Sequence, residues 1–156
     1  MFGIGKKKPV MTTKQEVIDA MTTGLESSEL KYKFDQEKSL FTTSFMGDDL
    51  PIGVNILIDD VAAHFILFLD LKAASENYKT VAWDLNCLNK KLVFGSFYLD
   101  PEDGMITLEY GFPYLEARVS PDFLISFVGL LVRTVDEHDG DLKQLAENTV
   151  KDTMYG

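Results

Sequence analysis

The strongest constraint on the fold is a change in the spacing of apolar residues along the chain. Up to about residue 26 they recur at helical intervals, but from Leu30 onward they alternate with polar residues, as Tyr32 and Phe34 show. Alternation with a period of two predicts half-buried β-strands, because successive side chains of a strand point to opposite faces. The chain is therefore predicted to begin with a helix and to continue as a series of strands.

The first helix is predicted over residues 13–26. Thr13 stands three residues before Glu16, which is the spacing of a capping box, and an apolar stripe follows at helical intervals. Three further strand-like segments follow the one at residue 30, and the last of them, AAHFILFLDL, ends at residue 71. Clusters of turn-forming residues separate these segments, so we predict four consecutive antiparallel strands.

The second half of the chain returns to helical spacing at Ser75 and then forms a hairpin. Two aromatic segments flank DPEDG, whose proline and glycine suit a tight turn. A long apolar helix is predicted to begin after Ser120, and we expect Gly140 to interrupt it. The predicted order is α-β-β-β-β-α-β-β-α, an α+β fold with helices packed on an antiparallel sheet.

Charge and cysteine content limit the functional classes. The chain carries 25 acidic and 15 basic residues, a net charge of -10, and its cations are scattered, so binding to nucleic acid is not expected. Cys87 is the only cysteine, which excludes an internal disulfide and is typical of a reducing compartment, here the cytoplasm. We predict a flexible basic tail over residues 1–12, with at most weak membrane contact, and one domain over residues 13–156.

An excess of apolar residues points to a binding surface. In HFILFLDL both alternating sets are apolar, whereas an antiparallel sheet with one wet face should show only one, so we expect both faces to be covered there. The last long helix is apolar around most of its circumference. We therefore predict contacts with a protein client through Phe65, Phe68, Phe123, Phe127 and Leu131. The alternative is that these segments are simply the centre of the core.

Patterns for catalysis, metal binding and cofactor binding are weak. Cys87 with His64 or His138 would be the only route to thiolate catalysis, but a cysteine inside a helix is most often a small buried hydrophobe. The acidic segment DEHDGD, residues 136–141, invites a metal site, yet it breaks the spacing of a calcium loop. We therefore assign no catalytic residue, no metal ligand and no cofactor.

Asn86 and Asn89 end the second helix one turn apart, and Gly95 follows in the next predicted strand. Their side-chain amides can bond otherwise unpaired backbone groups at the helix end or on that strand. Glycine permits close approach of a backbone or a ring. We interpret these three residues as structural, fixing how the strand leaves the helix.

The order of elements, together with LNCLNKKLVFGSFYLDPEDGMITLEY and then VSPDFLISFVGLLVRTVDEH, resembles the YbjN-domain family over roughly residues 13–147. The resemblance implies a fold similar to that of class I type III secretion chaperones, and a role as a sensory-transduction regulator or chaperone-like protein. It supplies no catalytic residue. The basic start and the tail after Gly140 are not explained by it.

Three functional hypotheses follow. The first is a non-enzymatic, chaperone-like or regulatory module, a homodimer that presents apolar surface to a protein client. The second is a sensor of a small ligand or divalent metal that uses residues 136–141. The third is an enzyme that uses Cys87.

Overall fold

The structure is a computed structural model that describes residues 11–154, with side chains described up to residue 146. Three helices and six strands confirm the predicted order and the α+β class. The helices are α1 (Lys14–Ser27), α2 (Tyr78–Asn89), preceded by a short 3-10 turn at Ser75–Asn77, and α3 (Pro121–Met154). The strands are β1 (Tyr32–Asp35), β2 (Leu40–Met46), β3 (Pro51–Ile58), β4 (Ala62–Lys72), β5 (Ser96–Leu99) and β6 (Met105–Pro113).

The first helix begins as the capping box predicts. The hydroxyl of Thr13 accepts a hydrogen bond from the Glu16 backbone N–H at 3.2 Å and donates one to the Glu16 carboxylate at 3.2 Å. These contacts satisfy one of the unpaired donors of the first turn and fix where α1 starts. Just before it, Thr12 is buried, and its backbone N–H bonds the Leu115 carbonyl at 2.8 Å. The flexible tail predicted over residues 1–12 therefore extends too far, since Thr12 is part of the fold. Residues 1–10 lie outside the described part of the chain.

All six strands join one antiparallel sheet in the order β1-β2-β3-β4-β6-β5. The four consecutive strands are confirmed, and the hairpin of β5 and β6 adds to them through β6 and β4. β5 is shorter than predicted because Gly95 has a φ of +73°, which ends extended pairing just before Ser96.

The prediction that Gly140 interrupts the last helix is wrong. α3 runs without a break through that position. Glycine inside a helix costs only about 1 kcal/mol relative to alanine, and the apolar stripe continues beyond it, since Val135 and Leu142 are both fully buried. Packing of this stripe against the core outweighs the local preference of the glycine.

The core lies on one face of the sheet. Val54 on β3 and Phe65 on β4 point to that face and are fully buried, together with the apolar stripes of α1 and α3. α2 lies beside β5 and also belongs to this core. No helix within the described residues covers the other face of β4, where Phe68 is 39% exposed. The chain itself therefore covers one face of β4, and covering of the second face by another chain stays a prediction. Among the described helices, none has the apolar span that crossing a bilayer requires.

Candidate functional site

The five predicted contact residues do not form one surface. Phe65 and Leu131 have no exposed surface and are part of the core, so their prediction as client contacts is wrong in this conformation. Phe127 is partly buried against the core. Phe68 and Phe123 are 39% and 40% exposed, but Phe68 projects from the uncovered face of the sheet and Phe123 from α3 on the covered side. The structure thus divides the predicted site into two separate surfaces and a buried part.

An aromatic cluster joins α3 to β4 and β6. Its members are Phe65, Phe94, Tyr110, Phe112, Phe123 and Phe127. Phe127 lies at its centre, with ring centroids 5.2 Å from Phe112 and 4.9 Å from Phe123. Such tilted and edge-to-face pairs add to the stability that burial alone provides. Phe94 and Phe123 form an exposed rim of the cluster, each at about 40% exposure.

The second surface is the sheet face turned away from α1 and α3, here called the open face. One row of directly paired residues crosses five strands of this face: Ser44, Gly53, Phe68, Thr107 and Tyr98. Gly53 has no side chain opposite Phe68, and a Cβ at this position would lie 3.7 Å from the Phe68 Cβ. Other large apolar side chains of the open face are Leu40, Met46, Leu57 and Ile66. A solvated sheet face is normally polar, so this face is more apolar than exposure to water explains.

A depression of about 530 Å³ lies at one end of the open face. Phe68, Met46 and Pro51 line it, and Asp70 adds one carboxylate. The pairing of β4 with β6 shifts between Phe68 and Lys72, so regular pairing is lost at this end of the sheet. Bulges of this kind often lie beside binding sites, because they re-aim side chains.

Asn89 bonds the backbone of the next strand, as the structural interpretation of this asparagine expects. Its side-chain N–H donates to the Phe97 carbonyl at 2.9 Å, and its side-chain oxygen accepts from the Phe97 N–H at 2.6 Å. Both backbone groups of Phe97 point to the edge of β5 that has no neighbouring strand. The Asn89 side chain supplies the two hydrogen bonds that such a strand would make. Asn86 differs from this prediction, because it is exposed and its side chain bonds no described residue.

Gly95 combines a positive φ with a close approach, as predicted. A Cβ there would lie 3.1 Å from the Glu109 carbonyl oxygen and 3.2 Å from Leu131 Cδ2. The left-handed backbone is strained for other residues, and the neighbours leave little room for a side chain. Gly95 therefore fixes the entry to β5 and contributes no binding group.

The turn between β3 and β4 contains the strongest electrostatic perturbation. The backbone N–H of Val61, the His64 side chain and the backbone N–H of Ala62 together lower the pKa of Asp59 to about 2. His64 Nε2 lies 2.6 Å from the Asp59 carboxylate, and the Tyr114 hydroxyl donates to the Asp59 carbonyl. These bonds order a turn, as carboxylates often do, and no nucleophile contacts the pair among the described residues.

Neither of the other chemical hypotheses gains a site from the structure. Residues 136–141 lie within α3, which spreads their side chains around the helix, and Asp136 accepts a hydrogen bond from the Asp48 N–H at 2.9 Å. Within residues 11–146, no three side chains of metal-ligating type come together. Cys87 is exposed and bonds no described residue, and His138 packs edge-on against Phe97 instead.

Sequence reasoning missed part of both surfaces. Tyr98 of the open face and Tyr110 and Phe112 of the aromatic cluster lie on β5 and β6 and were not predicted as contacts. The sequence shows that the side chains of each strand alternate between two faces. Which of the two alternate sets faces the helices is decided by packing between distant elements.

Comparison with known proteins gives a family and a fold. A family model described as "YbjN: Putative bacterial sensory transduction regulator" matches residues 18–144. The chain is similar to a solved structure, the "Crystal structure of YbjN, a putative transcription regulator from E. coli", with a TM-score of 0.60 and 12% identity. That similarity covers 80% of this chain and 92% of the other. No curated protein matches the chain.

Proposed function

Since the chain belongs to the YbjN family, we propose that it is a non-enzymatic, chaperone-like regulatory module that binds a protein client on the open face of its sheet, in the cytoplasm. The observation that carries this proposal is the exposure of Phe68 on a face that no described helix covers. The family description, a sensory transduction regulator, supports a binding role over a catalytic one.

The chemistry of the open face favours a protein segment as its occupant. Phe68 and Tyr98 offer large ring surfaces, and Ile66 and Leu57 on the same face are partly buried. Aromatic anchors surrounded by smaller contacts are typical of protein interfaces. A client would gain its affinity from covering these rings, since apolar burial contributes about 25 cal/mol per Å².

A client-binding test compares three forms of the protein as affinity baits. A Phe68→Ser and Ile66→Ser double variant removes apolar groups from the open face. Val93→Ser is the matched control, because Val93 is 86% exposed and lies in the loop before β5. Proteins retained by wild type and by the control, but lost by the double variant, would support the proposal. Identical sets from all three baits would contradict it.

Holdase activity gives a second, client-independent measurement. Reduced insulin aggregates rapidly, and a chaperone-like protein with an apolar face should slow the rise in light scattering. We expect wild type and Val93→Ser to delay aggregation and the double variant to lose most of the delay. Equal curves with and without the protein would exclude a holdase role.

A homodimer is the second part of the proposal. The exposed rim of the aromatic cluster, Phe94 and Phe123, lies away from the open face, so a client on one surface leaves the other exposed. A second copy that covers this rim would bury it. Light scattering on a sizing column should then give twice the 17.6 kDa of one chain. Phe123→Ser should return the mass to that of one chain, and a monomer at every wild-type concentration would refute the dimer.

A further inference from the structure

The edge of β5 has one closed and one open backbone position. In an antiparallel pair, successive residues turn their backbone groups alternately toward and away from the neighbouring strand. The Asp100 N–H bonds the Met105 carbonyl at 2.9 Å, toward β6, whereas both groups of Phe97 face Asn89. By this alternation the N–H and C=O of Leu99 also point away from β6. Asn89 closes the position at Phe97, and no described residue bonds Leu99 on that side.

A cleft of about 500 Å³ runs along this edge, between α2 and β5. Its apolar lining includes Ala82, Leu85 and Tyr98. Asn86 also lines the cleft, one helical turn before Asn89. The Asn86 amide bonds no described residue. One cleft therefore contains two unpaired backbone groups and an unpaired side-chain amide, all near an apolar floor.

The charge of the cleft is opposite to that of the whole protein. The chain has a net charge of -10, but the charged side chain that lines this cleft is Lys79, which forms no ion pair with a described residue. The neighbouring carboxylates of Asp100 and Asp103 are directed into their own turn, where they accept the N–H groups of Glu102 and Met105 at 2.8 Å. A cation left unpaired beside free amide groups favours an anionic ligand.

We propose that this cleft binds an extended peptide segment that carries an acidic side chain. One residue of the peptide pairs its backbone with Leu99 and the Asn86 amide. The peptide thereby adds to the edge of β5 next to Phe97, the position that Asn89 already bonds. An apolar side chain lies over Ala82 and Leu85. The carboxylate bonds Lys79. Of the residues that line the cleft, only Tyr98 also belongs to the open face, and Phe68 does not line it, so the inference does not rest on the proposed client site.

A display library of random octapeptides is the probe. It is selected against the full chain, and the enriched peptides are then synthesised with a fluorescent label for anisotropy titration. We expect enrichment of Asp or Glu beside apolar residues. Lys79→Gln should weaken binding about tenfold, the size of one charge-assisted hydrogen bond, and Asn86→Ala should weaken it several-fold. The matched control is Lys90→Gln, because Lys90 is exposed directly after the end of the same helix and does not line the cleft.

Changes in the chemical shifts of amide groups on peptide binding locate the site independently of affinity. In nitrogen-15 spectra the peptide should move the Asn86 side-chain signal and the Leu99 N–H signal, while the signals of Phe68 and Ile66 on the open face stay in place. The inference is overturned if no peptide is enriched, if the selected peptides lack Asp and Glu, or if Lys79→Gln binds them as tightly as Lys90→Gln does. Peptides that shift Phe68 and Ile66 and lose affinity with Phe68→Ser would instead belong to the proposed client site.

Discussion

The side-chain amide of Asn89 pairs with the backbone of Phe97 as a neighbouring strand would, with one bond donated at 2.9 Å and one accepted at 2.6 Å. α2 is thereby fixed to the last strand of the sheet at a position where the strand has no partner. Unpaired strand edges invite association with other chains, and proteins block them in several ways. Here a single side chain blocks the edge at its middle.

The first prediction separates the two asparagines of the sequence motif. Asn89→Ala removes both bonds to Phe97 and leaves partly buried backbone groups unpaired, so we expect the free energy of unfolding to fall by about 1–3 kcal/mol. Asn86→Ala is the matched control, because this exposed side chain bonds no described residue, and it should change stability by less than about 0.5 kcal/mol. Urea titrations of both variants measure the difference. Equal losses would show that the motif does not act through Phe97.

The second prediction places the same substitution at two glycines with opposite results. Gly95→Ala forces a side chain onto a φ of +73° and into contact with Glu109 and Leu131, which should cost at least about 1–2 kcal/mol. Gly140→Ala adds a methyl group with no neighbour within 4 Å inside α3 and should stabilise by about 0.5–1 kcal/mol. Thermal unfolding of both variants gives the signs. A destabilising Gly140→Ala would argue against an unbroken α3.

The third prediction concerns acid stability at the turn between β3 and β4. The pKa of Asp59 is lowered to about 2, first by the Val61 N–H and then by His64 and Ala62, from about 3.9 in an unfolded chain. A lowered pKa means that the ionised carboxylate stabilises the fold fully above pH 4, and that this contribution is lost as the pH falls toward 2. The stability advantage of wild type over Asp59→Asn should therefore shrink as the pH falls from 4 to 2.

The control for this pH dependence is Asp60→Asn. Asp60 is 93% exposed and has only a long ion pair, 3.8 Å, to Lys14. Exposed ion pairs contribute little to stability, so wild type and Asp60→Asn should have nearly equal free energies of unfolding from pH 5 to pH 2. Chemical denaturation across that range measures both differences. A flat profile for Asp59→Asn would show that the turn does not depend on the ionised group.

Periodicity alone was sufficient to predict the order of elements, because each helix and strand carries its own local signal. The capping box at Thr13 placed α1 to within one residue, and the alternation from Leu30 to Leu71 indicated four strands. Errors arose where packing overrode a local preference. Gly140 is a helix breaker by propensity, yet the buried stripe on both sides of it keeps α3 continuous. Such a balance depends on contacts between distant residues, which spacing does not contain.

The candidate site was only partly predictable for a related reason. The two apolar sets of β4 showed that this strand has more apolar surface than one covered face requires, and Phe65 and Phe68 were both selected from it. Which set faces the helices depends on how the whole sheet docks on α1 and α3, and the structure places Phe65 inside and Phe68 outside. The cleft beside Asn86 could not be predicted either, because it arises from the alignment of α2 with an edge strand.

The last prediction uses these two phenylalanines as a matched pair on one strand. Phe65 has no exposed surface and contacts the Phe127 ring, so Phe65→Ala should lower the free energy of unfolding by about 3–5 kcal/mol through the cavity it leaves. Phe68 is 39% exposed opposite Gly53, and Phe68→Ala should cost roughly 1 kcal/mol. Urea titration measures both losses.

The same pair separates folding from binding. If the open face binds the client, near-ultraviolet circular dichroism should show that Phe68→Ala remains folded. The variant should still lose much of its effect on insulin aggregation, because the exposed ring contacts the client directly. Phe65→Ala, measured under conditions where it stays folded, should keep that effect, since its side chain never reaches the surface. The reverse result, activity lost with Phe65→Ala and kept with Phe68→Ala, would mean that the chain opens its core to bind and that the open face plays no part.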